Sequence, residues 1–299
     1  MKAAPFEYTR ASDIDEACAL LAADDSARVI AGGQTLVPMM AMRLARPTRL
    51  IDINRIAALS YIRAEGDGVM IGATTRQCLV ERDKLVAKSL PLLARALPFI
   101  GHCATRARGT VGGSIANADP AAELPLIAVT LDAVFSAREG GKTTDFAARD
   151  YFVGPMVTNL PAGAILTSVR FPAWSGKIGV GFHEVNARRS DFAFVSAAAQ
   201  VELGADGACK RIAIGVGAVT DFPMRLDSAE KALAGAKLDD AAIKAAVTEA
   251  LEGIDALADL HASAAYRKRV AAKLAARAVA DARDNALEGL ALGKASHAH

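Results

Sequence analysis

Apolar positions recur at helical spacing in residues 12–23, SDIDEACALLAA, where Ile14, Ala17, Cys18 and Leu21 share one face behind a Ser12 suited to N-capping. A first helix is predicted there. The run ARVIA at 27–31 is a short apolar strand that enters Gly32-Gly33 directly, and LVPMMAMRL at 36–44 returns to helical spacing. The local order is strand, glycine turn, helix. RLIDI at 49–53 and GVMIGA at 68–73 read as further strands, and the Leu-rich stretch 89–100 as a helix between Pro91 and a capping Gly101. After a second glycine motif at 109–113, residues 120–129 are helical, and 131–137 and 164–171 are strands. From 178 onward the pattern predicts three strands, including 192–203 and 208–220 joined at Gly204-Ala205-Asp206-Gly207. Helices at 228–237, 239–253 and 262–286 follow, rich in Ala, Leu and Lys or Arg. The expected class is α+β, with a boundary near Ser175-Gly176: a first domain over 1–175 in two lobes, about 1–55 and 56–175, and a C-terminal domain over 176–289.

The 299 residues hold enough chain for two cores, and 52% of them are hydrophobic without any apolar run of the ~20 residues that cross a bilayer. No transmembrane segment is expected. A net charge of +2 and 5% aromatic residues offer little to nucleic acid. Met1 to Glu7 lacks the apolar stretch of a secretory signal, which makes a cytoplasmic location the expectation. Cys18, Cys78, Cys103 and Cys209 are too dispersed for a metal-ligating CxxC pair and are read as buried, inert thiols.

The candidate chemistry lies in the paired segments Ala31-Gly32-Gly33-Gln34-Thr35 and Thr110-Val111-Gly112-Gly113-Ser114. Glycines let backbone N–H groups approach an anion without a Cβ in the way, and short hydroxyl residues add side-chain donors. Two such loops suit a diphosphate. Neither fits G-x-G-x-x-G, and neither carries a P-loop lysine. Asp119 before Pro120 reads as a helix N-cap, a role compatible with ligand contact, and Glu123 one turn later is equally a dipole partner or a carboxylate facing the ligand. His102 is read as a cation at a helix end. Arg106 and Arg108 stand as solvated surface residues or as diphosphate counter-charges, and Met39, Met40 and Met42 as core. No catalytic triad, carboxylate pair or metal-ligand cluster assembles by spacing, so no catalytic residue and no metal ligand is assigned.

AGGQTLVPMM with LIDINRI, and RARGTVGGSIANADPAAELP, resemble the signature segments of the FAD-binding medium subunit of the xanthine dehydrogenase and carbon monoxide dehydrogenase family of molybdenum hydroxylases. GAILTSVRFP, FHEVNARRSDFAFVSAAAQVEL and SAAYRKRVAAKLAARAV resemble that subunit's later strands and C-terminal helices. The resemblance implies a vanillyl-alcohol-oxidase (PCMH) type FAD domain followed by a CO dehydrogenase flavoprotein type C-terminal domain. It implies FAD in this chain, with molybdopterin in a large partner subunit and two [2Fe-2S] clusters in a small one, as a dimer of heterotrimers. By the same resemblance Ala31 to Thr35 hold one part of the FAD diphosphate, and Thr110, Gly112, Gly113 and Ser114 the other. Ile100, Leu166 and Glu123 match further flavin contacts, and His183 stands where relatives place a polar group near the isoalloxazine ring. The cysteine-bearing insert of relatives that reduce aromatic acyl-CoA compounds is missing here. Two other readings of the residues are a self-contained flavin oxidoreductase and a non-catalytic nucleotide-diphosphate binding module.

Overall fold

In a computed structural model describing residues 2–295, the chain begins with three parallel strands, β1 (Glu7–Arg10), β2 (Arg28–Ile30) and β3 (Arg49–Asp52), in the order β1-β3-β2. Parallel neighbours need crossovers. Helices α1 (Ile14–Ala22) and α2 (Leu36–Ala41) supply them. The N-cap of α1 is Asp13, whose carboxylate accepts from Glu16 N at 2.9 Å, while Glu16 reaches back to the Ser12 N–H at 2.7 Å. Ser12 therefore sits one place outside the cap expected of it, because the longer Asp13 carboxylate takes the orphan donor.

The second sheet is antiparallel, in the order β4 (Ile62–Glu65), β5 (Gly68–Gly72), β10 (Ile165–Pro172), β6 (Val134–Glu139) and β7 (Lys142–Ala147). Six short helices pack on it: α3 (Gln77–Arg82), α4 (Lys84–Ser89), α5 (Pro91–Ala96), α6 (Cys103–Arg108), α7 (Val111–Asn117) and α8 (Glu123–Thr130). Their shared core includes Ile71, Leu92, Leu93, Ile115, Leu126, Phe135 and Phe171. The single helix expected up to Gly101 stops instead at Ala96. Pro98 cannot donate to the carbonyl four residues back, and residues 97–99 tighten into a 3₁₀ turn before Gly101 at φ +48°. Helix α9 (Ala148–Tyr151) and a small hairpin of β8 (Phe152–Gly154) and β9 (Val157–Thr158) complete this part.

The third sheet has four antiparallel strands rather than the expected three: β11 (Lys177–Asn186), β12 (Ala193–Leu203), β13 (Cys209–Gly217) and the two-residue β14 (Met224–Arg225). Two residues leave no periodicity to read. Helices α10 (Asp227–Leu233), α11 (Asp240–Glu252) and α12 (Ala264–Ala295) follow. The long helix buries Ala271, Ala275, Ala278, Val279 and Ala282. Gly179 and Gly181 face the same helix: a Cβ on either would collide with the carbonyls of Ala282 and Ala278. Odd-numbered residues of β11 thus look toward α12 and even-numbered ones toward the second sheet's helices, where Phe182 stacks on Phe99 at 4.8 Å between centroids. An ion network ties the two sides. Arg149 pairs with Asp132 at 2.6 Å and Asp227 at 2.9 Å, and Arg225 pairs with Asp132 and Glu230.

Candidate functional site

The first glycine loop leaves β2 at Ala31 and turns through Gly33 at φ +70°, a left-handed conformation that only glycine adopts without strain. Four of its five carbonyls are engaged, and Gln34 O has no partner among the described residues because Pro38, four residues on, has no N–H to donate. Ala31 O accepts from Asn54 Nδ2 at 2.8 Å, Gly32 O from Gln34 Nε2 at 3.2 Å, Gly33 O from Val37 N at 3.0 Å and Thr35 O from Met39 N at 3.1 Å. Its donors are free. The N–H groups of Gly32, Gly33, Gln34 and Thr35 meet no acceptor among the described residues. A loop with all but one acceptor spent and four open donors is built to receive an anion.

The second loop is organised differently. Gly112 N donates to Ala73 O at 2.8 Å, Gly113 N to the Thr110 hydroxyl at 3.1 Å and Ser114 N to Thr110 O at 3.2 Å. The fold itself consumes the backbone donors that the sequence suggested for a phosphate. What this loop requires is room. A Cβ on Gly112 would lie 2.5 Å from Ala73 Cβ, and one on Gly109 2.6 Å from Gln77 Oε1. The loops also touch, since a Cβ on Gly32 would stand 3.0 Å from Gly109 Cα and closer still to Arg108 O.

Both loops border one cavity of about 710 Å³, within the size range of cofactor clefts. Ala31, Gly32, Gly33, Gln34 and Thr35 line one wall, and Thr110, Gly112, Gly113 and Ser114 line another. Ile100, Leu166, Asp119 and Glu123 also line it, together with Ser190, Asp191 and Phe192 from the loop between β11 and β12. Residues expected from four separate stretches of sequence are thereby brought together. Met39 borders the cavity, Met40 is buried and Met42 is 49% exposed, so only Met40 is the core residue expected of all three.

His183 lies apart from the cavity lining. It is an odd-numbered residue of β11, and its Nε2 is 2.9 Å from Asp281 Oδ2 on α12. Glu184, on the opposite face of the strand, was missed by the sequence reading although simple alternation from the apolar Phe182 points to it. One of its carboxylate oxygens accepts from Asn186 Nδ2 at 2.8 Å, and the other is buried without a partner. Burial, then the charge of Glu123, pushes the Glu184 carboxyl up to about 8. Burial likewise raises Glu123 to about 7, and raises Asp119. All three carboxyls are shifted toward the protonated form; Asp119 and Glu123 line the cavity, and Glu184 lies outside its lining.

Asp119 caps a turn and not a helix. Its Oδ1 accepts from Ala121 N at 2.9 Å, and α8 begins only at Glu123, which keeps the first-turn position expected of it. His102 precedes α6 instead of ending a helix. Arg106 is neither solvated nor free for a diphosphate: it forms a two-point pair with Glu81 at 2.8 and 3.1 Å and donates to the carbonyls of Ile100 and Gly101. Arg108 is exposed. Cys18 and Cys209 are buried as expected, but Cys78 is half-buried and Cys103 exposed, because α3 and α6 lie on the surface of the helical layer. Among the described residues no cluster of three metal-ligating side chains occurs, and no helix is long and apolar enough to cross a membrane.

The family described as the FAD binding domain in molybdopterin dehydrogenase matches residues 4–174, and the CO dehydrogenase flavoprotein C-terminal domain matches residues 181–282. The chain is 37% identical over 286 residues to the carbon monoxide dehydrogenase medium chain of Afipia carboxidovorans, covering 94% of this chain and 98% of that one. It is 36% identical over 283 residues to the 6-hydroxypseudooxynicotine dehydrogenase complex subunit alpha of Paenarthrobacter nicotinovorans, covering 94% and 96%. Among solved structures, quinoline 2-oxidoreductase from Pseudomonas putida 86 superposes with a TM-score of 0.91 at 32% identity, over 96% of this chain and 99% of that one.

Proposed function

Because the chain belongs to the FAD-binding medium subunits of the xanthine dehydrogenase and carbon monoxide dehydrogenase family of molybdenum hydroxylases, and is thus an oxidoreductase subunit, we propose that it works as an electron relay. Electrons enter from the [2Fe-2S] clusters of a small partner subunit and leave to an external acceptor. A large partner subunit with molybdopterin oxidises the organic substrate, and the assembly is a dimer of heterotrimers in the cytoplasm. The division into an FAD-binding domain and a C-terminal domain falls near residue 175.

The residues present fit FAD. The observation that carries this reading is the set of four free N–H groups at Gly32 to Thr35, on a cavity that apolar Ile100 and Leu166 and the carboxyls of Asp119 and Glu123 also line. The diphosphate is held at the first loop, with the hydroxyls of Thr110 and Ser114 supplementing it across the cavity. Glu123 receives ribityl hydroxyls, as a group that can accept or donate depending on its proton. Bound FAD supplies the redox chemistry, and the chain supplies position, exclusion of water and local charge. The test is stoichiometry: purified full-length chain should release about one flavin per polypeptide on acid denaturation. Flavin that stays attached to the denatured polypeptide, or a chain that cannot be loaded with FAD, contradicts the reading.

A further inference from the structure

We propose that Arg76 is the clasp and counter-charge of the diphosphate cradle, joining the two glycine loops and supplying the positive charge that their neutral backbone lacks. The inference rests on the reading that FAD occupies the cavity, and it adds a residue that does not itself border it.

Arg76 sits at the turn from β5 into α3, half-buried. Its guanidinium donates to Asn54 Oδ1 at 2.7 Å and to Arg108 O. Asn54 in turn donates to Ala31 O at 2.8 Å and to Asp52 Oδ1 at 2.7 Å. One continuous path therefore runs from the first glycine loop through Asn54 and Arg76 to the second. The Arg108 carbonyl it ends on is the atom that Gly32 backs against. The backbone of Arg76 also bridges to Thr110, and Gln77 N donates to Gly109 O at 2.9 Å, so the second loop is gripped twice.

The charge on this clasp has no direct ion-pair partner. Both acceptors are neutral oxygens, and no carboxylate pairs with Arg76 among the described residues, whereas Arg106 nearby is neutralised by Glu81. Burial, then the positive charge of Arg108, press against its protonation, and Asp52, beyond Asn54, and Cys78 oppose them more weakly; a guanidinium stays charged in protein surroundings. A partly desolvated cation whose opposing carboxylate acts only from beyond Asn54 is costly, and an anion seated at the free donors of the first loop relieves that cost. A diphosphate brings negative charge to that place, and an isoalloxazine ring does not.

The experiment uses the full-length chain stripped of flavin, with FAD, ADP and riboflavin as separate ligands. Arg76→Met should weaken FAD and ADP together by about 10- to 100-fold and flatten the salt dependence of both, while riboflavin affinity stays within about twofold. Arg76→Lys, which keeps the charge but cannot span both oxygens, should recover part of the loss. Asn54→Ala cuts the first-loop side of the clasp with the charge intact and should cost about 3- to 10-fold on FAD and ADP alone. Should Arg76→Met fail to fold, the Lys and Ala variants decide by the same selectivity for diphosphate ligands. Unchanged FAD affinity in the folded variants, or an equal loss for FAD and riboflavin, overturns the inference while leaving the flavin site in place. A wild-type chain that binds neither FAD nor ADP overturns the site reading and this inference with it.

Discussion

Replacing Glu184 by Gln removes an ionisation and keeps the shape of the side chain and its contact with Asn186. Glu184 goes from the ordinary glutamate value of 4.5 to about 8 in the folded chain, first through burial and then through Glu123. A carboxyl whose folded value is raised contributes stability that is complete below the unfolded value and is lost as pH climbs through the folded one. The window is therefore about pH 4.5 to 8. Taken at about 1.4 kcal/mol per pH unit, the full span would reach roughly 5 kcal/mol. Glu184 is only part-buried, and solvent screening reduces this to about 1–2 kcal/mol. Urea unfolding of the flavin-free chain should accordingly show Glu184→Gln equal to wild type at pH 5 and about 1–2 kcal/mol more stable at pH 8.5. In a Glu123→Gln background the gain should shrink, because the neighbouring charge is one of its causes. Parallel pH dependences for wild type and Glu184→Gln would refute the upward shift of the Glu184 carboxyl.

Gly32→Ala places a Cβ against Arg108 O and should force the two loops apart, weakening FAD binding by about tenfold or more, whereas Gly253→Ala, with open space around it, should leave binding unchanged in the same flavin titration. Thiol titration of the folded chain should find Cys103 reacting first and Cys78 more slowly, with Cys18 and Cys209 silent until denaturant is added; burial pushes the Cys209 thiol up to about 11. Glu230→Ala leaves Arg225 only its pair with Asp132 and strands the Ile214 N–H, and should lower unfolding stability by about 1–3 kcal/mol without altering the flavin spectrum.

The elements with long apolar periods were legible: α1, β12, β13, α10 and α11 lie within a few residues of their expected spans, while α12 starts as expected and runs nine residues past its expected end at 286. Strand β1, EYTR, escaped because all but one of its residues are exposed and only one neighbour pairs with it. Strand β7, KTTDFA, escaped because an edge strand with polar residues on both sides carries no alternation. At the site, glycine pairs announced where the backbone comes close but not which N–H groups stay free. That depends on Ala73 and Thr110 reaching the second loop from elsewhere. Arg76 and Asn54 lie 22 residues apart, and Arg76 and Arg108 are 32 apart, so their meeting is a product of tertiary packing with no local signature. His183 was singled out by the resemblance alone, yet strand alternation turns it toward Asp281 and leaves Glu184 facing the other way.

In the proposed function this chain relays electrons and leaves substrate oxidation to its partners. The most direct test is anaerobic mixing of the FAD-loaded full-length chain with oxidisable purines, N-heterocycles and aldehydes and with carbon monoxide, alone and after assembly with co-purified large and iron–sulfur subunits. The account predicts that the oxidised-flavin absorbance persists in the isolated chain with every compound and bleaches in the complex with its substrate. Bleaching by an organic substrate in the isolated chain, at an ordinary enzymatic rate of ~1–10³ s⁻¹, would contradict it.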